Sequence, residues 1–373
     1  MAILLIAPTA SPAQTPDPAP APPYTFGGFI DAAYLFAPND PLNQVFRSRG
    51  TAWHLNDPFL NMAAAYVKKP ASESSRIGTE LMVQAGKDAE IFGFSATAPN
   101  LAGSDVLRHI GLANVSYMAP AGKGLTVQGG IFGSLIGYDS LWAKDNLSYT
   151  RPWGADFTPY LMLGVNASYP LTGNLTGTLY VVNGYWHLAN ANHVPSTGLQ
   201  LVYKATPEVT IKNSTMYGPH QADTALAYWR VINDSIVERR HGRFIVAFNG
   251  HVATEQVAES GVRAWWLAAQ LPLRWNVGGP WNLTLRPEVA RDTVGRWTLA
   301  EQTVVAMTST LEYRLTRSTG AGASLRLEHR FDRSTGAQGG FFSDHESRPG
   351  EIALVPNQHV FIAAAIFTFE GGK

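Results

Sequence analysis

The chain has 373 residues, enough for two or three ordinary globular domains or for one large barrel. Hydrophobic residues make up 45% and charged residues only 15%, well under the roughly 25% charge of soluble domains, which fits a protein that turns an apolar surface to lipid and a polar one to a lumen. Lys+Arg and Asp+Glu balance at 28 each, which argues against nucleic acid as a partner, and the absence of Cys excludes disulfides, thiolate zinc sites and Cys nucleophiles.

From the N-terminus, residues 1–13 read as a signal-peptide-like segment. Ala2 to Ala10 is apolar, and Ser11-Pro12-Ala13 offers small residues at a cleavage site, although no Lys or Arg precedes the run. A Pro/Ala-rich linker follows over 14–23, and a barrel is expected over 24–369 with a short tail at 370–373. After the leader, no apolar run reaches the roughly 18 residues a spanning helix needs. Membrane residence therefore implies a barrel.

What recurs is a segment of about ten residues with period-2 alternation, closed by Gly, Pro, Asn or Asp. Sixteen such strands are expected, starting near Tyr24, Phe59, Arg76, Leu107, Leu125, Thr158, Leu175, Thr197, Val209, Leu226, Arg243, Gly261, Trp281, Thr303, Gly322 and Gln358. Connections after even strands are short, as in Pro120–Gly124, Thr206–Glu208 and His241-Gly242. Those after odd strands are mostly long: 37–58, 87–106, 137–157 and 333–357. This alternation of turns and loops is the signature of a closed antiparallel outer-membrane barrel, in which the sheet leaves no free edge in hydrocarbon. Aromatics collect at strand ends, with Tyr24, Phe26, Tyr34 and Phe36 in the first strand and Phe361, Phe367 and Phe369 in the last.

Phe132-Gly133-Ser134-Leu135-Ile136-Gly137, Asp145-Asn146-Leu147-Ser148-Tyr149-Thr150-Arg151, Pro159, Gly164 to Tyr169 and Val182-Asn183-Gly184-Tyr185 carry a family likeness. In these stretches, and more diffusely from Tyr24 to Phe369, the chain resembles the OmpL-like β-barrel porins of Gram-negative bacteria. The resemblance implies an outer-membrane pore with no assigned substrate. Phe367-Thr368-Phe369 fits the terminal signal read by the barrel-insertion machinery, although Glu370-Gly371-Gly372-Lys373 follow it.

A pore needs a constriction and a charge pattern. The third long loop carries Asp139, Lys144, Asp145, Arg151 and Asp156, and the resemblance implies that it folds into the lumen. The polar sides of the later strands place Arg230, Arg286, Glu288, Glu312, Arg314, Arg326, Glu328 and Arg330 on a lumen wall, with Glu80, Lys212 and Asp234 on less regular strands. Fifteen of the 20 Arg lie after residue 187. Exchanging Arg326 and Arg330 for Glu is then expected to move ion preference towards cations. A different reading makes these residues paired charge ladders that fill the barrel.

No catalytic triad, metal motif, phosphate loop or cofactor fingerprint is present, and the scattered His lack the pairing of a helical zinc site. The expected partners are outer-membrane lipids, small hydrophilic solutes or ions, the insertion machinery and two further copies in a homo-trimer. Two other readings are a non-conducting outer-membrane barrel for adhesion or assembly, and a soluble β-rich carbohydrate-binding protein.

Overall fold

The computed structural model describes residues 24–90, 103–188, 192–221, 228–257, 261–316 and 320–372. The signal-like segment and the linker therefore lie outside the described residues. Strands β1 (Thr25–Phe36), β2 (Pro58–Lys69), β3 (Ile77–Ala85), β4 (Ile110–Ala119), β5 (Leu125–Gly133) and β6 (Leu161–Pro170) each pair antiparallel with the next. The meander continues through β7 (Leu175–Val182), β8 (Ser196–Lys204), β9 (Val209–Pro219), β10 (Trp229–His241) and β11 (Phe244–Gln256).

Next come β12 (Arg263–Gln270) and β13 (Leu273–Gly278), which both lie between β11 and β14 (Trp281–Asp292). They are two halves of one barrel strand. The interruption falls at Leu271-Pro272 because proline has no N–H to give to the ladder. Strands β15 (Gln302–Thr316) and β16 (Ala321–Thr335) follow, then a hairpin of β17 (Phe341–Arg348) and β18 (Glu351–Val355), and finally β19 (Asn357–Gly372).

The last strand pairs with β16 on one side and with β1 on the other, in a register running from Thr25↔Gly372 to Phe36↔Phe361. With β12 and β13 counted as one, sixteen antiparallel strands close on themselves. Closure gives every spanning backbone group a partner within the sheet.

Observed strand starts lie within three residues of the expected ones, with the start near Leu226 outside the described residues. Three differences are instructive. Ser104–Leu107 is a helical turn, so β4 starts at Ile110 rather than near Leu107. Glu370 to Gly372 do not form a tail but continue β19, because the seam with β1 extends to Thr25. The loop expected over 333–357 contains β17 and β18, turned at Pro349-Gly350 with Gly350 at φ +80°.

Alternation decides which way each side chain faces. Along β16, Leu325 and Leu327 are 50% and 63% exposed, whereas Arg326, Glu328, Arg330 and Asp332 are buried. In a barrel the exposed row meets lipid, and the buried row faces the lumen and its contents. Phe26, Tyr34, Phe36, Phe361, Phe367 and Phe369 all lie on the outer row near strand ends, as girdle residues should. Between them the small Ala32, Ala363 and Ala365 help form a shallow apolar groove on the outer surface. Leu327→Arg, near the middle of β16, is expected to cost about 2–4 kcal/mol of barrel stability. Urea unfolding in lipid checks it, and a neutral outcome would place Leu327 away from hydrocarbon.

Candidate pore constriction

Loop 3, residues 134–160 between β5 and β6, runs through the inside of the barrel. Its backbone has little regular structure, so its N–H and C=O groups need partners from the wall. The first limb lies along β8 to β12. Leu135 O accepts from Gln200 Nε2 and Ser214 Oγ, both at 2.6 Å, and Gly137 N donates to Asp234 Oδ1 at 3.1 Å. Tyr138 Oη donates to Glu238 Oε2 at 2.6 Å, and Gln270 Nε2 donates to Asp139.

The returning limb is held by β14 and β16. Arg326 donates to the carbonyls of Ala143 (2.8 Å), Ser148 (3.2 Å) and Asn146 (3.0 Å). Glu328 accepts from the backbone N–H of Tyr149 (2.6 Å) and Thr150 (2.9 Å), and also from the Thr150 hydroxyl. Arg286 donates to Thr150 O at 2.5 Å, and Arg330 to Arg151 O at 2.9 Å. Trp153 is fixed at both ends, its backbone N–H on Glu288 at 2.6 Å and its indole N–H on Asp332 at 2.8 Å.

A third set of contacts comes from the start of the chain. Tyr149 Oη donates to Asp31 on β1 at 2.9 Å. Arg151 pairs with Asp88 at 2.9 Å and Arg49 with Asp156 at 3.1 Å. Asp88 also accepts from the N–H of Ala52, which holds a left-handed φ of +47°. Burial acts to lower Arg151, but Asp88, Tyr160, Tyr149 and Asp31 together outweigh it and hold the guanidinium above its ordinary range. Burial raises the Asp139 carboxyl, and Arg286 offsets this only in part.

The wall charges are themselves paired, so their burial is compensated. Arg330 meets Asp332 at 2.8 Å and Glu288 at 3.0 Å. Glu312 receives Arg326 at 2.9 Å, Arg314 at 3.0 Å and also Arg274. The Trp153 ring lies edge-on to Phe46 of the β1–β2 connection, 6.0 Å between centroids, and 6.2 Å from Phe341 of β17, with the Arg49 guanidinium 5.0 Å above it. Trp153→Ala removes this anchor and is expected to cost the docked loop about 3–5 kcal/mol. Limited proteolysis of folded protein should then cut within 137–157; continued resistance would contradict the anchoring role.

Of the sixteen residues singled out in the sequence, Asp234 accepts from Gly137 of the loop, Glu80 accepts from Asn114 on β4, Lys212 lines a cavity of about 200 Å³, and the other thirteen fall into three groups. Lys144 and Asp145 form the loop tip, and with Arg314 they border open space. Asp139, Arg151, Asp156, Arg286, Glu288, Glu312, Arg326, Glu328 and Arg330 lie between loop and wall, with side chains committed to the contacts above. Arg230 stands apart near the long-loop end. Its guanidinium packs over Tyr185 (4.5 Å), Trp266 (5.3 Å) and Trp297 (5.3 Å), and it pairs with Glu255 at 2.9 Å. The tip borders two cavities of about 500 and 440 Å³ and a smaller one of about 200 Å³, all toward the short-turn end of the barrel.

Sequence reasoning missed Arg49, Asp88, Arg240 and Arg274. Arg274 was readable, since Leu273, Arg274, Trp275 and Asn276 alternate. Arg49 and Asp88 sit in connections without periodicity, and only the folded loops bring them to loop 3. Among the described residues, no group of three His, Asp or Glu is placed to hold a metal ion.

No curated protein matches the chain. Solved structures with a similar fold include the outer membrane protein OmpT of Vibrio cholerae in its trimer form, 10% identical, covering 92% of this chain and 98% of that one, TM-score 0.56. The outer membrane channel DcaP of Acinetobacter baumannii is 9% identical over 92% and 97% of the two chains, TM-score 0.58. An anion-selective porin from Comamonas acidovorans is 8% identical over 93% and 99%, TM-score 0.54. At such identities the likeness establishes the fold. The family described as "Putative beta-barrel porin-2, OmpL-like" matches residues 23–369, nearly the whole chain. The chain therefore belongs to the OmpL-like β-barrel porin family and is a porin-like barrel of the outer membrane.

Proposed function

We propose that the protein is a passive, non-catalytic pore for small hydrophilic solutes or ions, with loop 3 as its constriction. The observation that carries this reading is the loop tip. Lys144 and Asp145 stand between cavities of about 500, 440 and 200 Å³, while the rest of the loop is clamped to the wall. Permeants would pass beside this tip, sieved by width and by the charges of Lys144, Asp145 and Arg314. The remaining wall charges set the field indirectly, by fixing where the loop lies.

A second reading, the non-conducting barrel, is favoured by one feature. Loop 3 is bonded to β1, β8, β9, β10, β12, β14 and β16, which spans the lumen. A liposome-swelling assay with sugars of graded size separates the two. Swelling that falls steeply with solute size supports the pore, and its absence for every solute supports the plug.

Two partners complete the proposal. A homo-trimer draws support from the trimer form of the Vibrio cholerae structure; chemical cross-linking in membranes tests it, and monomer alone would count against it. Recognition by the insertion machinery draws support from Phe367 and Phe369, half exposed on the outer row of the last strand. Phe369→Ala should lower the inserted fraction in vivo, and unchanged insertion would refute that role.

A further inference from the structure

The cavity of about 500 Å³ below the loop tip has an unbalanced lining. Lys144 enters it from the loop, Arg240 from the end of β10, Arg274 from β13 and Arg314 from β15, and Asp145 is the one acid lining it. The carboxylates around it are already engaged. Asp145 pairs with Lys144 at 2.7 Å, and Glu238 takes Arg240 in a fork of 2.7 and 2.8 Å. Glu312 behind the cavity is shared by Arg274, Arg314 and Arg326. Five cations thus answer to three carboxylates, leaving an excess of two positive charges. Arg240 and Arg314 have side chains 59% and 47% exposed, so water completes their hydrogen bonding and a ligand oxygen can replace it.

We propose that this cavity is a binding subsite for a small doubly charged oxyanion, entered from the short-turn, periplasmic mouth. Rigid guanidinium forks match oxyanion geometry, which a halide cannot exploit. Four cations against one carboxylate in the lining, and two positive charges in excess once Glu238, Glu312 and the buried Arg326 are counted, suit a dianion. Its place beside the loop tip means that an occupant obstructs the passage. This rests on the pore reading for its consequence, but not for the binding itself.

The test adds inorganic phosphate at pH 8, where it is a dianion, to either side of single channels bathed in potassium chloride. Phosphate from the short-turn side is expected to reduce the current at a concentration about tenfold lower than from the loop side, because two charge-assisted contacts are reached first from there. In the double variant Arg240→Gln, Arg314→Gln, the blocking concentration should rise about tenfold. Phosphorus-31 line broadening on folded protein in micelles gives binding without conduction. Open channels with no block and no broadening overturn the subsite and leave the pore standing. Silent protein with broadening that the double variant abolishes upholds the subsite and overturns the pore. Block that is equal from both sides and untouched by the variant overturns the subsite.

Discussion

Deleting residues 138–156 is expected to raise single-channel conductance several-fold. That segment fills the space between the β8–β12 wall and the β14–β16 wall, so its loss joins the separate cavities around the tip into one passage. The barrel itself should survive, because its ladder bonds close without the loop. Arg286, Arg326, Glu328 and Arg330 would lose loop partners, but water entering the lumen can satisfy them. Folding is checked by the shift in gel mobility on heating, so that a conductance change is read only from closed barrels. Unchanged conductance in such barrels would mean that the loop does not limit the passage.

Arg326→Glu is expected to act mainly on stability. Arg326 is 1% exposed and directs its N–H groups at Glu312 and at the carbonyls of Ala143, Asn146 and Ser148. A carboxylate there would face Glu312 and leave three carbonyls without a donor, at a cost of about 3–5 kcal/mol. The temperature at which the folded gel band disappears should fall markedly. Selectivity should respond to Arg314→Glu instead, because that side chain is 47% exposed at the open cavity. A reversal potential that moves with Arg326→Glu at unchanged thermal stability would contradict the burial of this residue under the loop. The substitution expected from sequence to tune ion preference thus becomes a test of loop docking.

The barrel was legible because antiparallel spanning strands separate two environments at every residue. Trp281, Leu283 and Leu285 against Asn282, Thr284 and Arg286 already state which side is lipid, and β14 follows that pattern. Turn residues such as His241-Gly242 marked the short connections, with Gly242 at φ +55°. The break at Pro272 was written in the chain, but a single interruption looks like a strand end. The hairpin of β17 and β18 was hidden because Ser343-Asp344-His345-Glu346 has no apolar alternation and pairs outside the barrel wall.

For the constriction, alternation tells which side a charge takes but not what covers it. A lumen-facing Arg326 under a loop and a lumen-facing Arg314 beside a cavity have the same sequence signature. The contacts of Arg49 and Asp88 depend on two other loops meeting loop 3, and no local pattern encodes that meeting. The charge ladder and the loop were each visible, and their attachment to one another was not.

The most direct measurement is single-channel recording of folded protein in a planar bilayer under a salt gradient. Discrete steps with a definite reversal potential are expected, displaced when Arg314 or Lys144 changes charge. Silence from barrels that are demonstrably closed and inserted would contradict the pore reading and make the clamped third loop a plug.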